Sequence, residues 1–180
     1  MPPLSRPKRA AQQILTDGRI KGPAVDVERI AKRYAHVIRQ ELPREVSGVL
    51  VPLEGQKTKY PWAIVVNEAD IESRQRFTIA HELGHLLMHR FTTPHADSGF
   101  QVRFRDAASS EGRVREEIEA NEFAAELLMP RDFIREALSE EQLDHAAEDE
   151  RIFGTLVARL SELFDVSKQA MTVRLSTLMG

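Results

Sequence analysis

Two hydrophobic periods divide this chain. Val27, Ile30, Ala31 and Tyr34 recur at helical spacing, and Asp26 stands where an N-cap belongs, so a helix is predicted over 26–34. "SGVLVPL" (47–53) and "WAIVVN" (62–67) are short, β-branched and bounded by Gly, Pro and Asn, as strands are. The polar "EGQKTKYP" between them predicts a loose hairpin connection. Helical spacing returns from Ser73, a candidate cap, to Arg90, with Pro94 beyond the end. "FQVRFR" (100–105) alternates like an edge strand, and "DAASSEGR" (106–113) reads as loop. "VREEIEANEFAAELLM" (114–129) is a second strong helix, and Pro130 stops it or opens the short helix "RDFIREAL". "SEEQLDHAAEDE" (139–150) is acidic, a solvated face or loop. The tail from Thr155 to Met179 reads as two helices joined by a tight turn near Phe164–Val166.

These elements make an α+β domain with a small mixed or antiparallel sheet. Three segments are expected. Residues 1–9 form a flexible, basic, proline-rich lead-in, 10–138 the main domain, and 139–180 an acidic segment and a helical hairpin packed on it. No apolar run approaches a membrane span and no signal-like apolar region follows the N-terminus, so a cytoplasmic protein without a membrane partner is expected. The formal charge of −3 argues against a body built mainly to grip nucleic acid. Cysteine is absent, so any metal must be held by His, Asp or Glu.

The chemistry concentrates in "RFTIAHELGHLLMH" (76–89). His81 and His85 lie four residues apart, on one helix face and about 6 Å apart along the axis. A zinc ion bonded to each nitrogen at about 2.0–2.1 Å can bridge them. Glu82 follows the first histidine and is placed to act as general base on an activated water. A helix merely rich in histidine is the plainer alternative, but its apolar flanks would bury two imidazoles at a desolvation cost with no return. His89, one turn further, lies about 12 Å along the axis from His81 and cannot share that metal. It reads as a support behind the ligands or as a structural residue. Gly84 implies close approach of a neighbouring element.

A catalytic zinc takes three protein ligands and an open position. The second helix offers Glu116, Glu117, Glu119 and Glu122. Glu117 shares a face with Asn121, yet periodicity does not separate Glu117 from Glu119. For oxyanion stabilisation, Tyr60 and His95 are the candidates, each with an ordinary loop role as the alternative.

"RFTIAHELGHLLMH" followed by "EEIEANEFAAELLMP" resembles the ImmA/IrrE family of zinc metallopeptidases. The likeness runs over residues 20–178 and takes in "IVVN", "FRDAASSEG" and "LFDVSKQAMTVRL". It implies a zincin-like metallopeptidase with one zinc per chain, held by His81, His85 and a glutamate that the pattern E-x-x-A-N-x-F-A places at Glu117. Glu82 would be the catalytic base, and Asn121 is a candidate for oxyanion stabilisation or for support behind the ligands. The resemblance also implies a protein substrate, a helix-turn-helix (XRE-like) repressor encoded nearby and cleaved to relieve repression of stress or mobile-element genes. The alternative function is a zinc-containing regulator, or a toxin-type partner-binding protein, that cuts nothing. The C-terminal helical pair resembles a helix-turn-helix. Its second helix carries only Lys168, Gln169 and Arg174 for DNA, so a structural hairpin is the favoured reading of 155–178.

Overall fold

A computed structural model of the chain describes residues 4–53, 59–89, 95–97 and 107–179. Arg6–Asp17 form α1. Ser5 caps it, its hydroxyl accepting from the Lys8 amide, and Ala11, Ile14 and Leu15 make a buried stripe. This corrects the expected lead-in, since residues 6–9 are the first turn of a packed helix. Their basic side chains are engaged: Arg6 donates to the Met88 carbonyl at 2.6 Å, and Lys8 pairs with Glu122 at 3.2 Å. The i, i+3, i+4 spacing of the stripe was visible in the sequence, but its meaning depends on the helix it packs against.

Val27–Ala31 form α2, capped by the Asp26 side chain. His36–Gln40 form β1, Gly48–Pro52 β2, and Trp62–Asn67 β3. β2 and β3 pair antiparallel, with Leu50 opposite Ile64, as the hairpin reading requires. β1 joins β3 in parallel, and His95–Asp97 form β4, antiparallel to β2. The sheet order is β1-β3-β2-β4, so the sheet is mixed. β3 is central, and every residue from Ala63 to Asn67 is buried, which accounts for its unbroken apolar run. β1 escaped the sequence reading because it is a short edge strand with mostly exposed side chains and little alternation. The strand expected at 100–105 lies outside the described residues.

Glu72–Met88 form α3. Its N-cap is Ile71 and not Ser73, which sits inside the first turn. The entry to the helix is held elsewhere: Gln75 donates to the Asp70 carbonyl at 2.7 Å, and Asn67 Oδ1 accepts from the Ala69 amide at 3.1 Å. α4 spans Ala107–Leu128 and absorbs most of the segment read as loop. Its serines and glycine lower helix propensity, but helix formation propagates cheaply from a packed segment.

Arg131–Ala137 form α5, opened by Pro130. The acidic segment is also a helix, α6 (Glu140–Glu148), begun by a capping box between Ser139 and Gln142. The pattern S-x-x-Q was legible there, and the acidity masked it. Glu150–Phe164 form α7 and Lys168–Met179 form α8. Between them Asp165 adopts a left-handed backbone, φ 53°, at the expected turn. α8 is tied inward by Arg174, which is buried, donates to the Met129 carbonyl at 3.0 Å and pairs with Glu126. One of the three polar residues a DNA reader would present is thus used inside the protein.

α3 and α4 pack closely, with Leu83, Phe123 and Leu127 fully buried alongside Leu50, Ile64 and Ile79 of the shared core. Gly84 makes this approach possible. A Cβ there would stand 2.9 Å from the Phe123 ring and 3.4 Å from the Ala120 Cα. Phe123 is fully buried, so its ring can yield only against other core side chains. Gly84→Ala would regain about 1 kcal/mol of helix propensity. It would also incur an overpacking cost of about 1–3 kcal/mol. The expected balance is a loss of up to about 2 kcal/mol in urea unfolding, and a gain in stability would show that the helices do not meet in this way.

Glu28 of α2 joins that helix to β1. The Arg39 hydrogen bond, with Lys32 second, holds its carboxyl at about 2 against an ordinary 4.5, although burial opposes the shift. A depressed carboxyl contributes stability above its unfolded value and loses it as pH falls through the folded one. Glu28→Gln is therefore expected to lower the melting temperature at neutral pH. Its difference from wild type should close as pH falls from about 4.5 to about 2. A difference independent of pH across that window would refute the linkage.

Candidate metal centre

His81 and His85 project from successive turns of α3 toward α4 and are 3% and 0% exposed. Their Nε2 atoms stand 3.0 Å apart. Glu117 of α4 closes the triangle, with Oε2 at 3.2 Å from His81 Nε2 and Oε1 at 3.2 Å from His85 Nε2. These three residues form a group able to hold a metal ion. Donors on a tetrahedral zinc with bonds of 2.0–2.1 Å stand about 3.3–3.4 Å apart, close to the 3.0 Å between the imidazole nitrogens and to the 3.2 Å from each of them to its own Glu117 oxygen.

The faces behind the imidazoles decide which nitrogen is presented. His81 Nδ1 lies 3.0 Å from Asn121 Oδ1, an acceptor in the amide orientation this contact favours. A hydrogen bond there places the proton on Nδ1 and leaves the Nε2 lone pair facing His85 and Glu117. His85 Nδ1 lies 3.0 Å from His89 Nδ1, and His89 Nε2 lies 3.3 Å from Glu119 Oε2. A proton on His89 Nε2, donated to Glu119, would make His89 Nδ1 an acceptor and set the His85 proton on Nδ1, with the lone pair on Nε2. Two Nε2 lone pairs and a carboxylate turned to one point are a donor set for a cation.

Glu82 is fully buried on the same helix. β2 reaches this part of α3 because its first residue is glycine. A Cβ on Gly48 would fall 2.3 Å from Thr78 Cγ2 and 3.6 Å from Glu82 Cγ. The sheet therefore walls in the carboxylate directly after the first histidine.

His81, His85, Glu117, Asn121 and His89 are brought together. Glu119 is drawn to His89 instead of the triangle, the distinction periodicity left open. Burial raises the Glu119 carboxyl, but hydrogen bonds from Arg115 and His89 outweigh it and keep it below its usual value. Tyr60 stands beside β1, its ring edge-on to His36 at 6.0 Å between centroids, with the Lys59 ammonium 4.9 Å from the ring centre. For His95 the backbone is placed, on β4 opposite Leu50, and the side chain lies outside the described residues. Sequence reading missed Arg6 and the His89–Glu119 contact, which join segments far apart along the chain.

A model of the IrrE N-terminal-like domain, a peptidase family, matches residues 29–176. No curated protein matches the sequence. A solved Mycobacterium tuberculosis transcriptional regulator shares the fold, with a TM-score of 0.58 at 14% identity over 93% of this chain and 46% of that one. The present chain thus corresponds to less than half of that regulator's length. With the family model covering most of the chain, from α2 into α8, the protein belongs to the ImmA/IrrE (M78) peptidase family.

Proposed function

We propose that the chain is a zinc-dependent endopeptidase acting on a protein partner. The convergence of His81, His85 and Glu117 to within 3.2 Å, with Glu82 directly after His81 on the same helix, carries this reading. The three residues hold the metal. Bound zinc supplies a Lewis acid that activates water and polarises a carbonyl. Glu82 takes the proton of the attacking water and returns it to the departing amine nitrogen. Its burial keeps bulk solvent from competing for that proton. Asn121 fixes the ring of His81 from behind.

The substrate we propose is an XRE-like helix-turn-helix repressor encoded nearby. Membership of the family and the likeness to the fold of a transcriptional regulator support this regulatory setting. No helix among the described residues is long and apolar enough to cross a membrane.

Zinc binding comes first in the tests. Wild type is expected to carry one zinc per chain by elemental analysis. Glu117→Ala should lose more than the 10–100-fold in affinity typical of residues that only support a ligand. Glu122→Ala, on the Lys8 side of α4, should leave affinity unchanged. Equal effects of the two would remove Glu117 from the centre.

Catalysis is tested by Glu82→Gln, which keeps the shape but cannot accept the proton. Zinc content should match wild type, while cleavage of the neighbouring-gene repressor falls by about 10²–10⁴. The readout is intact repressor on a gel, with zinc supplied. Repressor left intact by both proteins while both relieve repression in cells would replace the peptidase with a regulator that cuts nothing.

A further inference from the structure

The two histidines of the triangle are supported differently. His81 is backed directly by Asn121 of α4. His85 is backed by His89, which is backed in turn by Glu119 of α4. His89 is the C-cap residue of α3, with extended backbone angles of φ −113° and ψ 159°. It has left the helix, so regular i, i+4 stacking does not aim its ring at His85. Its side chain is only 4% exposed, and burial of an imidazole has to be compensated by polar contacts.

Glu119 is itself held. Arg115 donates to its Oε1 at 3.0 Å, and Arg6 of α1 stands 3.7 Å from its Oε2. Arg6 also donates to the carbonyl of Met88, the last residue of α3. Three helices therefore meet behind His85, and one of them, α1, precedes the span matched by the family model.

We propose that His89 and Glu119 are positioning residues of the metal centre. Glu119 accepts from His89 Nε2, which leaves His89 Nδ1 as an acceptor. That nitrogen accepts from His85 Nδ1 and fixes both the ring and the tautomer that turn Nε2 toward His81 and Glu117. Each proton has one place along this line, and a ligand so oriented binds metal without first reorganising. The proposal rests on the metal-centre reading and does not depend on peptide cleavage.

The test measures zinc dissociation constants by chelator competition, visible spectra of the cobalt(II)-loaded protein, and melting of the metal-free protein. His89→Phe fills the space but offers no acceptor, and it should weaken zinc by about 10–100-fold and alter the cobalt spectrum. His89→Asn places an amide oxygen near the lost Nδ1, as Asn121 does for His81, and should recover most of the affinity. Glu119→Ala should weaken zinc in the wild-type background and add little on top of His89→Phe, because the two act in series.

Unchanged zinc affinity in His89→Phe and Glu119→Ala overturns the proposal, whatever happens to the melting temperature. So does equal weakening in His89→Phe and His89→Asn, which would point to packing alone. Wild type that binds no zinc overturns both this proposal and the metal centre. Wild type that binds zinc, cleaves nothing and shows the predicted pattern of affinities supports the proposal while refuting the peptidase.

Discussion

The contact between α3 and α4 at Gly84 is the constraint on which the rest depends. No side chain there can be accommodated against Phe123 and Ala120 without displacement. Because the helices meet so closely, a glutamate on α4 reaches two imidazoles on α3 at 3.2 Å. Gly48 acts in the same way on the sheet side, where β2 closes over Thr78 and Glu82. Two missing side chains thus determine the spacing of the layers, and the layers determine the geometry of the site. Interiors packed to this density transmit small changes in spacing, so the polar triangle depends on apolar contacts a turn away.

Placing ionisable groups in such an interior requires compensation at each one. The outer nitrogens of the imidazoles have polar partners, Asn121 Oδ1 for His81 and His89 Nδ1, itself beside Glu119, for His85. Glu119 is kept charged by Arg115 and His89 against the effect of burial. The same rule operates on the far side of α4, where buried Arg174 meets Glu126 and the Met129 carbonyl. α4 thus presents Glu117 and Glu119 to the histidines in and at the end of α3, and Glu126 to the arginine of α8. A buried pair of this kind is weak evidence for stability but defines one arrangement of the helices, because breaking it leaves a charge in the core.

Much of this organisation was legible in the sequence wherever a local rule governs it. The four-residue spacing puts His81 and His85 on one face in any helix. Apolar runs bounded by Gly, Pro and Asn marked β2 and β3, and their pairing followed from the short connection. The misreadings have two causes. α1 and α6 have sound helix signals, a serine cap in each, but charge made the first look like a tail and left the second open between a solvated face and a loop. β1 is an edge strand whose exposed residues carry no alternation.

Sequence by itself determined the α+β class, the histidine pair with its adjoining glutamate and, through resemblance, the family. These follow from intervals of a few residues, where backbone geometry leaves little freedom. Periodicity left Glu117 and Glu119 equivalent and the resemblance favoured Glu117, while the tertiary structure alone shows Glu117 facing His81 and His85 and Glu119 facing His89. Two residues on one helix lie about 200° apart around its axis, and which one meets α3 depends on how α4 is rotated. That rotation is a property of the packed core, of Phe123 and Ala120 against Gly84, and no local interval encodes it. The contacts of Asn121 with His81 and of Glu119 with His89 were fixed in the same way, because a hydrogen bond between residues 30 or 40 positions apart exists only once the helices have docked.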